Sequence, residues 1–300
     1  MINVKNKKVK YLGFLLVGFI LLSAGCDRMF RERQVDKKEL LGYDYRLFQG
    51  TNAWEIAKAV WDNDCTEIKL LVNQNKNLLN STDSMMGHTL LMFTIWHQQY
   101  NTFKCLLELG ADVNIHDRYA GTSAIIEACK MEKDNISYVS LLLQYGANIN
   151  DVEVGQRPDG NSIRDSPLLA ACRKGKTELV KLLVQSGADL NYKNEYNHSA
   201  LNQATIQDHY DIVLYLLKQN IDYNLPIFYR ENEKKTFYLI DVLREKMFRL
   251  NSSEHKLKME IVSLLRNKGI EYKDVPIPDY ITQKAKEEYP NTWQEYLKNY

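Results

Sequence analysis

Proline and glycine are scarce in this chain, 6 and 14 among 300 residues. Collagen-like and low-complexity disordered classes need far more of both and are excluded. No sign of charge dominates. The formal net charge is +1, and the first 26 residues hold four Lys and no acid. The 39 Lys and Arg, less those four, leave 35 against 38 acidic residues in the remainder, near −3. That balance lacks the basic footprint of a nucleic-acid binder. Chemistry-bearing signatures are missing too. No C-x-x-C, H-E-x-x-H, G-x-G-x-x-G, P-loop or G-x-S-x-G phrase occurs, and the six His are scattered. The expectation is a non-enzymatic protein without metal or cofactor. Nor does any apolar run comfortably reach the ~20 residues of a membrane-spanning helix.

What is present is the composition of a folded domain, 45% hydrophobic and 26% charged, with an abundance of Tyr (19). Tyr joins an apolar ring to a polar tip and suits interaction surfaces. The N-terminus is an address. Lys5, Lys7, Lys8 and Lys10 precede an uncharged stretch from Tyr11 to Ala24, and the stretch closes on LSAGC at 22–26. Basic, apolar and small-residue segments in that order make a secretory signal. The ending resembles the lipobox of bacterial lipoproteins, with Ser23 where Leu is commonest. The resemblance implies a signal peptide over 1–25, cleavage before Cys26 and acylation of Cys26. Asp27 then resembles the signal that retains enteric-type lipoproteins in the inner membrane, facing the periplasm. Residues 26–45 are charge-dense and are expected to form a lipidated tether.

The body repeats itself. LLELGADVN (106–114), LLLQYGANIN (141–150) and LLVQSGADLN (182–191) are one phrase written three times. LLVNQNKNLLN (70–80) and LLKQNIDYN (216–224) are looser copies. The closing residues Asn80, Asn114, Asn150, Asn191 and Asn224 recur at a period near that of solenoid repeats. A small-residue helix precedes each phrase, as in GTSAIIEACK (121–130) and DSPLLAACRKGKTELV (165–180). The Leu pairs 106–107, 141–142, 182–183 and 216–217 are expected to face the core. Gly110, Gly146 and Gly187 are expected to end the second helix of their units in the left-handed conformation. These phrases resemble the ankyrin repeat, with His of its T-P-L-H phrase replaced by Met92, Ile126, Leu169 and Asn202. The resemblance implies an all-α ankyrin-repeat solenoid of about five to six repeats over 46–270. The tail 271–300, with Tyr280, Tyr289, Trp293, Tyr296 and Leu297, is expected to cap its open end. Insertions fall at 151–165 and 225–235.

Four cysteines remain beyond Cys26. Cys129 and Cys172 hold matching places in adjacent repeats, near 10 Å apart, and a disulfide needs Cα atoms within about 7 Å. Both are therefore expected as small core residues. An oxidising periplasm would permit a disulfide. His209 is expected to be structural.

Ankyrin proteins bind through a concave face built from loop tips and the exposed ends of first helices. By alignment that position carries Trp61, Trp96, Lys130, Arg173 and Ile206, with His97, Met131 and Lys174 beside it. The tips carry Met85, Met86, His88, Tyr119, Ile163, Tyr196 and His198. The partner-binding set expected from the sequence is Trp61, Trp96, His97, Tyr119, Lys130, Arg173, Lys174 and Tyr196. Its Lys–Arg–Lys group suggests an acidic patch on the partner. As a whole the arrangement resembles ankyrin-repeat lipoproteins that serve as immunity proteins against type VI secretion lipase effectors. That implies a secreted lipase or phospholipase as partner, held by stoichiometric binding, with membrane contact through the lipid anchor only and no nucleic acid. The alternative is an envelope scaffold lipoprotein that holds or stabilises a periplasmic enzyme.

Overall fold

A computed structural model describes residues 32–133, 135–155, 164–219 and 221–300. The leader, Cys26, Asp27 and Ile163 lie outside the described residues, as does the middle of the first insertion. Six helix pairs follow one another: α1 (Trp54–Trp61) with α2 (Cys65–Gln74), α3 (Leu90–Trp96) with α4 (Tyr100–Glu108), α5 (Ala124–Lys130) with α6 (Ile136–Gln144), α7 (Pro167–Arg173) with α8 (Thr177–Gln185), α9 (Ala200–Ile206) with α10 (Tyr210–Leu217), and α11 (Leu239–Arg244) with α12 (Ser253–Asn267). A last pair, α13 (Asp279–Glu288) and α14 (Trp293–Asn299), closes the chain. First helices stack on first helices and second on second, so one continuous core runs from Tyr45 to Tyr272.

The two layers differ in sequence because they differ in exposure. In α7 every residue from Pro167 to Cys172 is buried, and in α9 every residue from Ala200 to Thr205. A helix enclosed on all sides has little room for charge. Ala128, Ala171 and Ala204 on these first helices are fully buried. Cys129 and Cys172 are buried free thiols, as expected. Burial pushes the Cys129 thiol up to about 12 and that of Cys172 up as well. Side-chain hydroxyls start these helices. Thr89, Ser166 and Ser199 accept from the backbone N–H of Met92, Leu169 and Asn202 at 3.3, 3.3 and 3.2 Å. Each such cap contributes about 1 kcal/mol.

The second helices are one-sided. Leu106, Leu107, Leu216 and Leu217 are buried, but in the central repeats only Leu142 and Leu183 are, while Leu141 and Leu182 are half-buried. The central pairs therefore straddle the boundary between core and solvent. Gly110, Gly146 and Gly187 follow their helices at φ of 92°, 85° and 93°, where a side chain would be strained. Just beyond, an asparagine ladder ties one repeat to the next. The Oδ1 atoms of Asn80, Asn114, Asn150 and Asn191 accept from the backbone N–H of Asp112, Asn148, Asp189 and Asp222 at 2.9, 3.0, 2.8 and 3.1 Å. His209 is structural in the same sense. Its Nε2 lies 3.3 Å from the carbonyl of Arg173 in the preceding unit.

Three regions depart from the sequence reading. Residues 32–45 are not a free tether over this span: Glu32 bonds Lys58 Nζ at 2.6 Å and the Trp54 indole at 3.0 Å, and Tyr45 is buried. The insertion after Asn224 is a hairpin, β1 (Phe228–Arg230) antiparallel to β2 (Lys235–Phe237). Phe228 and Phe237 stack 4.9 Å apart, and the Arg230 guanidinium lies 4.2 Å over Phe237 while gripping Glu245 at 2.8 and 2.7 Å. In the tail, Tyr296 and Tyr300 turn inward. Their hydroxyls donate to the carbonyls of Phe248 (2.8 Å) and Arg244. Tyr280 instead points out and is exposed.

Candidate protein-binding face

Three tips are folded by a short acid or amide three residues past the closing Asn, at Asp83, Asp117 and Asn194. Asp83, wholly buried, accepts from the backbone N–H of Met85, Met86 and His88 at 2.8, 2.7 and 2.7 Å. Burial alone would raise its pKa, but His88 and these donors outweigh that and lower it. Asp117 gathers the N–H groups of Tyr119, Ala120, Gly121 and Thr122 in the same way. Asn194 gathers those of Tyr196 and His198. With the loop's own side chain holding it, the residue at the apex projects outward. Tyr119 is 41% and Tyr196 50% exposed. Val154 and Tyr229, on the intervening and following units, are also exposed.

The tip of the fourth unit is built differently. Three residues past Asn150 stands Glu153, whose longer side chain reaches into the stack. It accepts from Thr122 Oγ1 at 2.9 Å and from the Asp165 N–H at 3.1 Å, and it pairs with Lys130. Asp165 in turn pairs with Arg173. Both carboxylates are buried, and burial, helped by Glu153, raises the pKa of Asp165 against the pull of Arg173. Val154 N–H and Gly155 N–H bond the carbonyls of Gly121 and Ala120, both at 3.1 Å. Gly121 has φ 66°, and a Cβ there would lie 2.0 Å from the Gly155 nitrogen. Only glycine fits between these two backbones.

This arrangement corrects the expected basic patch. Lys130 is committed to Glu153, Arg173 to Asp165 and Lys174 to Glu132. The group is internally neutralised and offers a partner little net positive charge. The aromatic end is also partly occupied. Trp61 stacks on Tyr45 at 4.7 Å, His97 Nε2 lies 2.8 Å from the Tyr43 carbonyl, and the Trp96 indole donates to Glu127 at 2.7 Å. Of the expected set, Tyr119 and Tyr196 project freely at tips, while Trp96, His97, Lys130, Arg173 and Lys174 are tied to other parts of the fold. Among the described residues no cluster of three or more His, Cys, Asp or Glu is placed to hold a metal.

Two features escaped the sequence reading. Glu153 sits at the same offset from its Asn as Asp83 and Asp117, so the repeat alignment itself marks it as a tip organiser. Cys65, at the start of α2, is joined to Cys105 in α4, with Cα atoms 6.2 Å apart. Once Cys26 is assigned to acylation and Cys129 and Cys172 to the core, these two are what remains.

The family model for ankyrin repeats matches residues 56–153 and 152–227, more than half of the chain. The chain belongs to the ankyrin-repeat family. Its ankyrin units are 38% identical over 108 residues to the B-cell lymphoma 3 protein homolog of Mus musculus, covering 36% of this chain and 22% of that protein. They are 33% identical over 111 residues to cyclin-dependent kinase inhibitor 2A of Monodelphis domestica, covering 37% and 58%. An ankyrin repeat protein of Variola virus is 27% identical over 204 residues, covering 68% and 31%. The matched stretch thus spans only about a fifth of the mouse protein. The ankyrin repeats indicate a protein-binding role for this chain.

Proposed function

We propose that this ankyrin protein is an envelope lipoprotein, acylated at Cys26 and kept at the inner membrane by Asp27, that neutralises a secreted lipase or phospholipase effector by stoichiometric binding. The exposed apices Tyr119 and Tyr196, on tips fixed by internal hydrogen bonds, together with Val154 and Tyr229 exposed on the intervening and following units, carry the reading. Rigid aromatic side chains held by a scaffold bind with little entropic loss and dominate interface energetics. The partner's complementary surface is apolar and hydrogen-bonding rather than acidic, because the Lys–Arg–Lys group is already paired. Two observations support the compartment. The leader ends in LSAGC, and the Cys65–Cys105 bond suits an oxidising space. The resemblance to immunity lipoproteins supplies the class of partner.

Deleting the gene while leaving neighbouring effector genes intact tests this. The reading expects the deleted strain to be killed by its siblings and rescued by the chain with an intact Cys26. A deleted strain that competes equally with its siblings removes the immunity role and moves the weight to an envelope scaffold.

A further inference from the structure

We infer that the end of the stack bearing Leu41, Tyr43 and Trp61 rests on the phospholipid interface, a surface distinct from the partner-binding tips. This inference rests on the reading of Cys26 as the acylated residue. Five residues separate Cys26 from Glu32, and a chain that short spans at most about 20 Å. Glu32 is not loose. It is fastened to Lys58 and to the Trp54 indole on α1, at 2.6 and 3.0 Å. A lipid at Cys26 therefore keeps α1 and the segment packed on it close to the bilayer, whatever the rest of the stack does.

On that end the exposed side chains have the chemistry of a membrane interface. Leu41 is 60%, Tyr43 49% and Trp61 38% exposed. Tyr43 and Trp61 form one patch, both against the ring of His97 at 6.3 and 4.8 Å. Leu41 is two residues before Tyr43 on the same segment. Trp61 is held flat against Tyr45 at 4.7 Å. The indole N–H groups of Trp54 and Trp96 are spent on Glu32 and Glu127. That of Trp61 has no partner among the described residues, and neither has the Tyr43 hydroxyl. Rings with an apolar body and a free polar tip settle at the headgroup level. Arg33 and Lys38, both exposed, lie on the same segment and suit lipid phosphates. A protein partner would also accept such a patch, but the five-residue leash favours the bilayer, which it holds against this end permanently.

The test uses the full acylated chain in phosphatidylethanolamine–phosphatidylglycerol vesicles, with some lipid brominated near the headgroup. Tryptophan emission is compared between the wild type, Trp61→Phe, and Leu41→Ser with Tyr43→Ser, each checked for unchanged circular dichroism. The expected result is quenching in the wild type, its loss in Trp61→Phe, and its reduction in the double variant, which keeps Trp61 but not its neighbours. Quenching that is absent from the wild type, or equal in all three, overturns the inference. Protection of Trp61 from soluble quencher by the protein partner without vesicles also overturns it, since the patch would then belong to that interface. The intact mass of the same sample separates the two levels. An unacylated chain defeats the anchor and with it the inference. An acylated, vesicle-bound chain with Trp61 unquenched defeats the inference alone.

Discussion

Breaking the Cys65–Cys105 bond should destabilise the stack by an amount that its place in the chain sets. The two residues are separated by 40 positions. Closing a loop of that length in the unfolded chain lowers its entropy enough to stabilise the folded state by about 4 kcal/mol. Unfolding some 270 residues carries an entropy of about 0.6 kcal/mol/K, so losing the bond should lower a cooperative Tm by about 7 °C. A repeat array need not unfold as one unit. If it does not, the loss concentrates at α1–α4, whose amides should exchange faster while those of α7–α10 stay protected. Thermal melts and amide exchange, with and without a mild reductant and with Cys65→Ser plus Cys105→Ser, read both. Cys129 and Cys172 are buried free thiols, so reductant acts at the bond alone. A double variant that melts within about 1 °C of the wild type would refute the cross-link's energetic role.

Two further predictions concern buried groups. Lys258 is wholly buried, with Nζ 2.9 Å from the Lys246 carbonyl and 3.6 Å above the Tyr300 ring. Burial first, and then the charge of Arg244, push its pKa down to about 7 from 10.5. The unfolded chain keeps this proton up to about pH 10.5 and the folded chain only to about pH 7. Stability should therefore rise with pH between those values, and the cost of the buried amine should be fully present below about 7. That cost is at most about 5 kcal/mol. Lys258→Met should stabilise the C-terminal end by about 1–4 kcal/mol at neutral pH and flatten the alkaline limb in urea titrations; an unchanged limb would contradict it. Gly121→Ala should cost about 2 kcal/mol or more, because the new Cβ meets the Gly155 backbone at a left-handed φ. Faster amide exchange at Val154 and Gly155 should accompany the lower Tm, and a Tm equal to wild type would show that the two backbones separate without cost.

The repeating architecture was legible because each repeat spells out its own physics. Apolar first helices, one-sided second helices, a terminal glycine and a closing Asn all recur in register. The units were legible down to Ala128, Ala171 and Ala204, which the packing requires to be small. The candidate face was legible only where a side chain acts alone. Tyr119 and Tyr196 are lifted by their own loops, and alignment locates them. Lys130 reads as a free cation because alignment marks Glu153 as a tip residue without showing that its longer side chain reaches back to the preceding unit, and Arg173 because its partner Asp165 follows the insertion, where the alignment breaks. His97 reads as open because Tyr43, whose carbonyl it meets, precedes the first repeat and follows no period, and the Tyr45 ring that stacks on one face of the exposed Trp61 is hidden in the same way. Pairings between a repeat and a non-repeating segment leave no trace in a self-comparison. The hairpin at Phe228–Phe237 is of the same kind, fixed by Arg230 bridging to Glu245 just past the end of the next helix.

The most direct test of the binding account is retention of a partner from the native strain by the full chain and by Tyr119→Ala with Tyr196→Ala. Two exposed aromatic anchors at an interface contribute about 2 kcal/mol each, so the double variant should bind about a thousandfold more weakly. Its melting temperature should be unchanged, since both rings project from tips that their own loops hold. The account predicts one secreted hydrolase held near one-to-one by the wild type and lost by the variant. Equal retention by both, or retention of resident envelope proteins in its place, would contradict it.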